Sequence, residues 1–118
     1  MNFLQEIEHG LQTLGGHALP QPAAVLAQQI EQYLRLIERW NKIHNLTAIR
    51  DLHDMLYQHV LDSLVVLPHI QGPQIIDVGS GAGLPGIPLA LARPDWNVTL
   101  IESNQKKTAF LQQVKIEL

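Results

Sequence analysis

The run Asp77-Val78-Gly79-Ser80-Gly81-Ala82-Gly83 puts a carboxylate and three alternating glycines at the end of a short apolar segment, Gln74 to Val78. Glycine there lets the backbone take angles closed to other residues and lets a ligand come close to the main chain. A helix starts just beyond, near Pro85, and a helix N-terminus aims unpaired N–H groups at such a ligand. Glu102 closes the next apolar segment, about 20 residues after these glycines, where a carboxylate meets the ribose hydroxyls of an adenosine cofactor. Two cofactor classes use this plan. Gly81, Gly83 and Gly86 match the dinucleotide spacing G-x-G-x-x-G, a weak signal by itself. Asp77 discriminates between the two. A pyrophosphate seated beside it would meet a like charge, at a cost on the order of 4 kcal/mol at about 4 Å. S-adenosylmethionine has no phosphate and carries an ammonium and a sulfonium, so the carboxylate favours it. The bland alternative is a connection that binds nothing, although the glycine content exceeds what a simple strand–helix link needs. Taken singly, Asp77 and Glu102 also read as ordinary helix-capping or strand-end carboxylates.

The elements that must hold these residues change character along the chain. Residues 1–71 read as a helical segment. Phe3, Leu4, Ile7, Leu11 and Leu14 recur at helical spacing, with Gly15-Gly16 as a stop and a loop from Gly15 to Pro22. A longer helix is expected from Ala23 to Lys42, with Val25, Leu26, Ile30, Tyr33, Leu34, Ile37 and Trp40 as its apolar stripe. Asp51, with Asp54 three residues on, resembles a capping box for a third helix, and a fourth is expected over Leu61 to Ile70. Beyond Gly72-Pro73 the pattern becomes β-α-β-α: a strand over 74–78, read as buried on both faces, then a helix over Pro85–Ala92. A second strand over Asn97–Ile101 follows, then a last helix capped by Ser103 or Asn104 and carrying Phe110, Leu111 and Val114. This predicts an α/β fold with a parallel sheet, residues 72–118 forming the first half of a Rossmann-like methyltransferase domain that is truncated before its third strand.

With 118 residues, 46% of them hydrophobic, the chain suits one folded unit and not a disordered one. It has no cysteine, which excludes disulfides, thiolate metal sites and cysteine nucleophiles. A net charge of −3 argues against bulk electrostatic binding of nucleic acid and leaves room for a local basic patch. The N-terminus shows neither a basic leader nor a long apolar run, so a cytoplasmic protein is expected.

The segment Asp77 to Ala90 resembles the first motif of the RsmG family, also called GidB, bacterial methyltransferases acting on small-subunit ribosomal RNA. Trp40 to Arg50, His59 to Leu64 and Phe110-Leu111-Gln112 are similar to further stretches of the same family. The resemblance implies methylation of N7 of a guanine in 16S ribosomal RNA with S-adenosylmethionine as donor. It carries Gly79 and Leu84 over as cofactor contacts, has Asp77, Gly81 and Gly83 shape the loop, and has Glu102 hold the ribose. It also implies a longer parent, of which this chain is an N-terminal, partial or inactive piece. Guanine N7 already presents a free lone pair, so positioning would dominate catalysis and no catalytic residue is named. The other readings are an NAD-dependent oxidoreductase fragment and a non-enzymatic interaction module.

Arg35, Arg39 and Lys42 fall at i, i+4 and i+7 on one helix face, and Arg50 follows in the loop; together they are candidates for ribosomal RNA phosphates. The competing reading is a solvated face with Glu31–Arg35 and Arg35–Glu38 pairs. Six histidines invite a metal site, but His53, His59 and Asp62 do not supply a convergent ligand set, and none is expected. His59 and Asp62 are expected to link the helical segment to the cofactor half. An unpaired strand edge predicts self-association or partial disorder in the C-terminal segment from about Gly72 on.

Overall fold

The computed structural model describes residues 2–14 and 21–118. The Gly15-Gly16 stop lies outside them. Helix α1 (Phe3–Thr13) opens with a reciprocal cap: Asn2 Oδ1 accepts from Gln5 N–H, and Gln5 Oε1 accepts from Asn2 N–H. Helix α2 (Ala23–His44) runs two residues past the expected end and stops at Asn45, whose φ of 50° is left-handed. Asn41, 2% exposed, folds the following turn back on the helix, accepting from Thr47 N–H at 3.0 Å.

Helix α3 (Leu52–Met55) is capped by Asp51, which accepts from the N–H groups of His53 and Asp54. No reciprocal bond from Asp54 accompanies it among the described residues, so the cap is single. The chain continues through a π-helical turn, Leu56–Leu61, into helix α4 (Asp62–Val65) and a 3₁₀ turn, Leu67–His69. The π turn has a reason in the sequence. Met55 with Val60 and Leu56 with Leu61 are five apart, and all four are buried. Bonding from i to i+5 aligns such pairs, where α geometry would turn them to different faces. The single helix expected over Leu61 to Ile70 is therefore two short pieces, the first beginning as the end of a longer run.

Strands β1 (Gln74–Val78) and β2 (Asn97–Ile101) have the expected bounds and pair in parallel, Gln74 opposite Asn97 and Val78 opposite Ile101. Helix α5 (Gly86–Ala92) connects them, and helix α6 (Gln105–Glu117) follows, capped by Asn104. The expectation that β1 is buried on both faces needs correction. Ile75, Asp77, Val98 and Leu100 face the helices, while Ile76, Val78 and Ile101 are 68%, 74% and 50% exposed. All the helices lie on one side of the sheet, and an apolar run cannot say how many layers cover it.

Helix α2 is the hub, packing against α1, α3, α5 and α6. Its buried face is Leu26, Ala27, Ile30, Tyr33, Leu34, Leu36 and Ile37. Each large aliphatic among them contributes about 1.5–3 kcal/mol by burial. Val25, expected in this stripe, is exposed instead, and Leu36 takes a core place. One continuous cluster joins these residues to Ile87, Leu89, Phe110 and Val114. Helical segment and β-α-β-α segment thus share a core.

Candidate functional site

The loop after β1 is shaped by three glycines with positive φ: Gly79 at 73°, Gly81 at 59° and Gly83 at 94°. Gly79 and Gly81 are bordered by open space, whereas a side chain at Gly83 would strike Ile87. The first two therefore leave the main chain bare to an incoming ligand, and the third permits close packing of α5. Gly86 serves packing too, since a Cβ there would lie 2.2 Å from Leu100 Cδ2 and 2.8 Å from Asp77 Oδ2.

Four tethers hold the loop. Ile101 O accepts from the N–H groups of Gly79 at 2.7 Å and Ser80 at 3.2 Å, continuing the strand pairing into the turn. Ser80 Oγ donates to Asp77 O, and Ser80 O accepts from Gly83 and Leu84 N–H. Glu102 reaches from the end of β2, its Oε1 accepting from Gly81 N–H at 2.7 Å and its Oε2 from Asn104 N–H at 2.9 Å. Those two backbone donors, Asn104 first, hold the Glu102 carboxyl below the ordinary glutamate range, so it is charged at neutral pH. Each oxygen keeps a further lone pair for a hydroxyl donor. The fourth tether is Tyr33, fully buried in α2, whose hydroxyl donates to Ala82 O at 2.7 Å. Sequence pattern assigns Tyr33 to the core stripe, and nothing local reveals a partner 49 residues away.

Asp77 turns toward α5. Its Oδ2 accepts from Gly86 N–H at 3.0 Å, capping the helix that follows the loop. Asp77, Gly79, Gly81, Gly83, Leu84 and Glu102 are thus brought together at the carboxyl ends of the two strands, the general position of ligand crevices in α/β sheets.

The four expected cations are not gathered in the same way. Arg35 pairs with Glu31 at 3.5 Å and lies over the Phe3 ring; Arg39 pairs with Glu117 at 3.5 Å. No Arg35–Glu38 pair is present among the described residues. Arg50 donates to Asn41 O at 3.1 Å and to the Asn45 side chain, holding the end of α2. Lys42 is exposed and makes no ion pair among the described residues. His59 meets Thr47 Oγ1 through Nε2 at 2.9 Å, and α4, which carries Asp62, packs on α5. Packing of α4 on α5 thus joins the two halves beside that of α2 on α5 and α6, while Asp62 itself is exposed. No group of three or more His, Asp or Glu residues converges among the described residues. No helix among them is long and apolar enough to cross a membrane.

Comparison with known proteins places this geometry in context. The profile of the GidB family, described as rRNA small subunit methyltransferase G, matches residues 26–118. The ribosomal RNA small subunit methyltransferase G of Nitrosospira multiformis is 58% identical over 118 residues, covering all of this chain and 53% of the relative. Those of Nitrosomonas eutropha and Nitrosomonas europaea are 54% and 52% identical, each again across the whole chain and 54% of the relative. The chain spans about half the length of the curated relatives it matches.

Proposed function

The chain belongs to the rRNA small subunit methyltransferase G family, and on that premise we propose that its glycine loop and Glu102 hold S-adenosylmethionine for methylation of guanine N7 in small-subunit ribosomal RNA. The observation that carries the cofactor reading is the pairing of the charged Glu102 carboxylate with Gly81 N–H, beside glycines that open on free space. When bound, S-adenosylmethionine supplies an electrophilic methyl group on a sulfonium. Glu102 would accept the ribose hydroxyls through its remaining lone pairs. Gly79 and Gly81 would admit the ligand against the main chain, with Leu84 at the edge of the loop. Guanine N7 has its lone pair available, so no residue here needs to remove a proton; orientation and exclusion of water supply the rate.

The same geometry disfavours a dinucleotide. A pyrophosphate on this plan takes the first N–H groups of the helix after the loop. Here Gly86 N–H is already taken by Asp77, and residues 77–86 contain no cationic side chain to offset the charge. Lys42 supports a ribosomal RNA contact because it is the cation of the α2 face left without an ion-pair partner among the described residues. Lys42→Glu should weaken binding to a small-subunit RNA fragment, and unchanged binding would remove the patch from the interface.

The deciding experiment is calorimetric titration of this chain with S-adenosylhomocysteine, and with NAD in parallel. Binding of the first alone is the expected result. Binding of NAD would overturn the reading in favour of an oxidoreductase fragment. Binding of neither would favour an interaction module without cofactor.

A further inference from the structure

We propose that Tyr33 is a positioning residue for the cofactor loop: its buried hydroxyl holds the Ala82–Gly83 peptide in the orientation in which the loop receives its ligand. The inference rests on the cofactor reading and adds to it a side chain from the helical segment.

The Ala82–Gly83 peptide is fixed at both of its polar groups. Its carbonyl accepts from Tyr33, and its N–H donates to Ser80 O at 2.8 Å. The preceding residue, Gly81, is fixed through its own N–H by Glu102. Main chain between Gly81 and Gly83 is therefore clamped from the β2 side by a carboxylate and from the α2 side by a phenol. Glycines at positive φ have many other conformations open to them, so without such clamps the bound form would be one among several. A ligand that fits a single form binds in proportion to that form's population.

Tyr33 is itself well placed to hold a partner. It is fully buried, lies among the core residues of α2, and its ring is 6.5 Å from that of Phe110 in α6, tilted by 37°. Only the two torsions of an aromatic side chain need fixing, and packing fixes them. Burial first, and then the Asp77 charge, push the phenol far above its ordinary range. The group therefore remains a protonated donor at neutral pH and well above it. A phenylalanine would fill the same space and leave the buried Ala82 carbonyl without this partner.

The test compares Tyr33→Phe with Tyr57→Phe, which removes a hydroxyl from a tyrosine that is 52% exposed. Two quantities are read with both chains fully folded: affinity for S-adenosylhomocysteine, and the amide resonances of Gly81, Gly83 and Leu84 in the free protein. Tyr33→Phe is expected to weaken binding about three- to tenfold, the worth of one hydrogen bond, and to shift and broaden those amides. Tyr57→Phe should change neither. A lowered melting temperature with unchanged affinity and unchanged loop amides would make Tyr33 a core residue only and overturn the proposal. If the unsubstituted chain binds no S-adenosylhomocysteine, the cofactor reading fails, and the loop amides still decide whether Tyr33 orders the loop. Should Tyr33→Phe not fold, 3-fluorotyrosine in the Tyr57→Phe chain alters the donor at Tyr33 with nearly the same shape. Loop amides indifferent to fluorination would then overturn the proposal.

Discussion

Gly79 and Gly83 both adopt positive φ, yet alanine should act mainly on ligand affinity at the first and mainly on stability at the second. At Gly83 the backbone angle of 94° strains any L-residue, by about 1–2 kcal/mol. The new Cβ would also sit 2.2 Å from Ile87 Cδ1, 2.7 Å from Ile87 Cγ1 and 3.2 Å from Leu111 Cδ2. Ile87 is buried and cannot swing away freely, so overpacking adds roughly 1–3 kcal/mol. Gly83→Ala should therefore lose about 2–5 kcal/mol, a large share of the 5–15 kcal/mol typical of a domain. At about 4 °C per kcal/mol, the melting temperature falls by roughly 8–20 °C. At Gly79 the angle is 73°, and among the described residues no atom beyond its own chain neighbours lies within 4 Å of the added Cβ. Strain alone remains, about 1–2 kcal/mol or some 4–8 °C. That Cβ would project into the space assigned to the cofactor, and affinity for S-adenosylhomocysteine should fall about tenfold or more, equivalent to roughly 1.4 kcal/mol. Urea and thermal unfolding followed by far-UV circular dichroism, with calorimetric titration on each folded variant, separates the two effects. Equal destabilisation by the two alanines, or wild-type affinity in Gly79→Ala, would refute the division of the loop into a packing glycine and a ligand-facing glycine.

Asp51→Ala removes two backbone hydrogen bonds at the start of α3 and should cost about 1 kcal/mol; an unchanged urea midpoint would show that the packing of Met55 and Leu56 suffices without the cap. Partial burial lowers the His59 pKa, against a smaller opposing effect of a backbone hydrogen bond. The unfolded chain thus binds the proton more readily, so the His59 contribution is present above its ordinary value of about 6.5 and is lost as pH falls through the lowered one. His59→Gln should accordingly flatten the decline in stability as pH falls from about 6.5 through the lowered value, and an unaltered slope would assign the decline to other groups. Finally, the open sheet edges and the bare face of Ile76, Val78 and Ile101 should drive self-association. Sedimentation should then show mass rising with concentration, and Val78→Lys should reduce it; a concentration-independent monomer would contradict both.

Much of the site is legible in the sequence because its determinants are local. Strand bounds at 74–78 and 97–101 follow from short apolar runs closed by Gly79 and Glu102, and the loop follows from glycine spacing. Nearest-neighbour chemistry also reveals Asp51 as a cap and narrows that of the last helix to Ser103 or Asn104, between which the structure selects Asn104. What escapes is non-local. The π turn at Leu56–Leu61 arises because the core requires pairs five residues apart, which a search for period 3.6 passes over. The exposure of Ile76 and Val78 depends on which layers cover the sheet, and an apolar strand looks the same either way. Gly86 fits a dinucleotide spacing, but its structural reason is the approach of Leu100 and the seat it leaves for Asp77. Arg50 reads as a loop cation, yet it closes the end of α2 through Asn41 and Asn45, partners visible only once the left-handed turn at Asn45 has folded.

The central place of α2 has a consequence for the order of events during synthesis. Its inward face is finished early, while Phe110, which completes the cover over Tyr33 and Trp40, comes later in the chain. At about 5–20 residues per second, the roughly 80 residues between Tyr33 and Phe110 take on the order of 4–15 s to emerge. Helix α1 and the run from Leu52 to Leu64 can shelter one flank of α2 in that interval; the flank destined for α5 and α6 has no local substitute. A nascent chain between β1 and α6 would thus display an uncovered apolar helix face for seconds, the interval in which it is most open to aggregation.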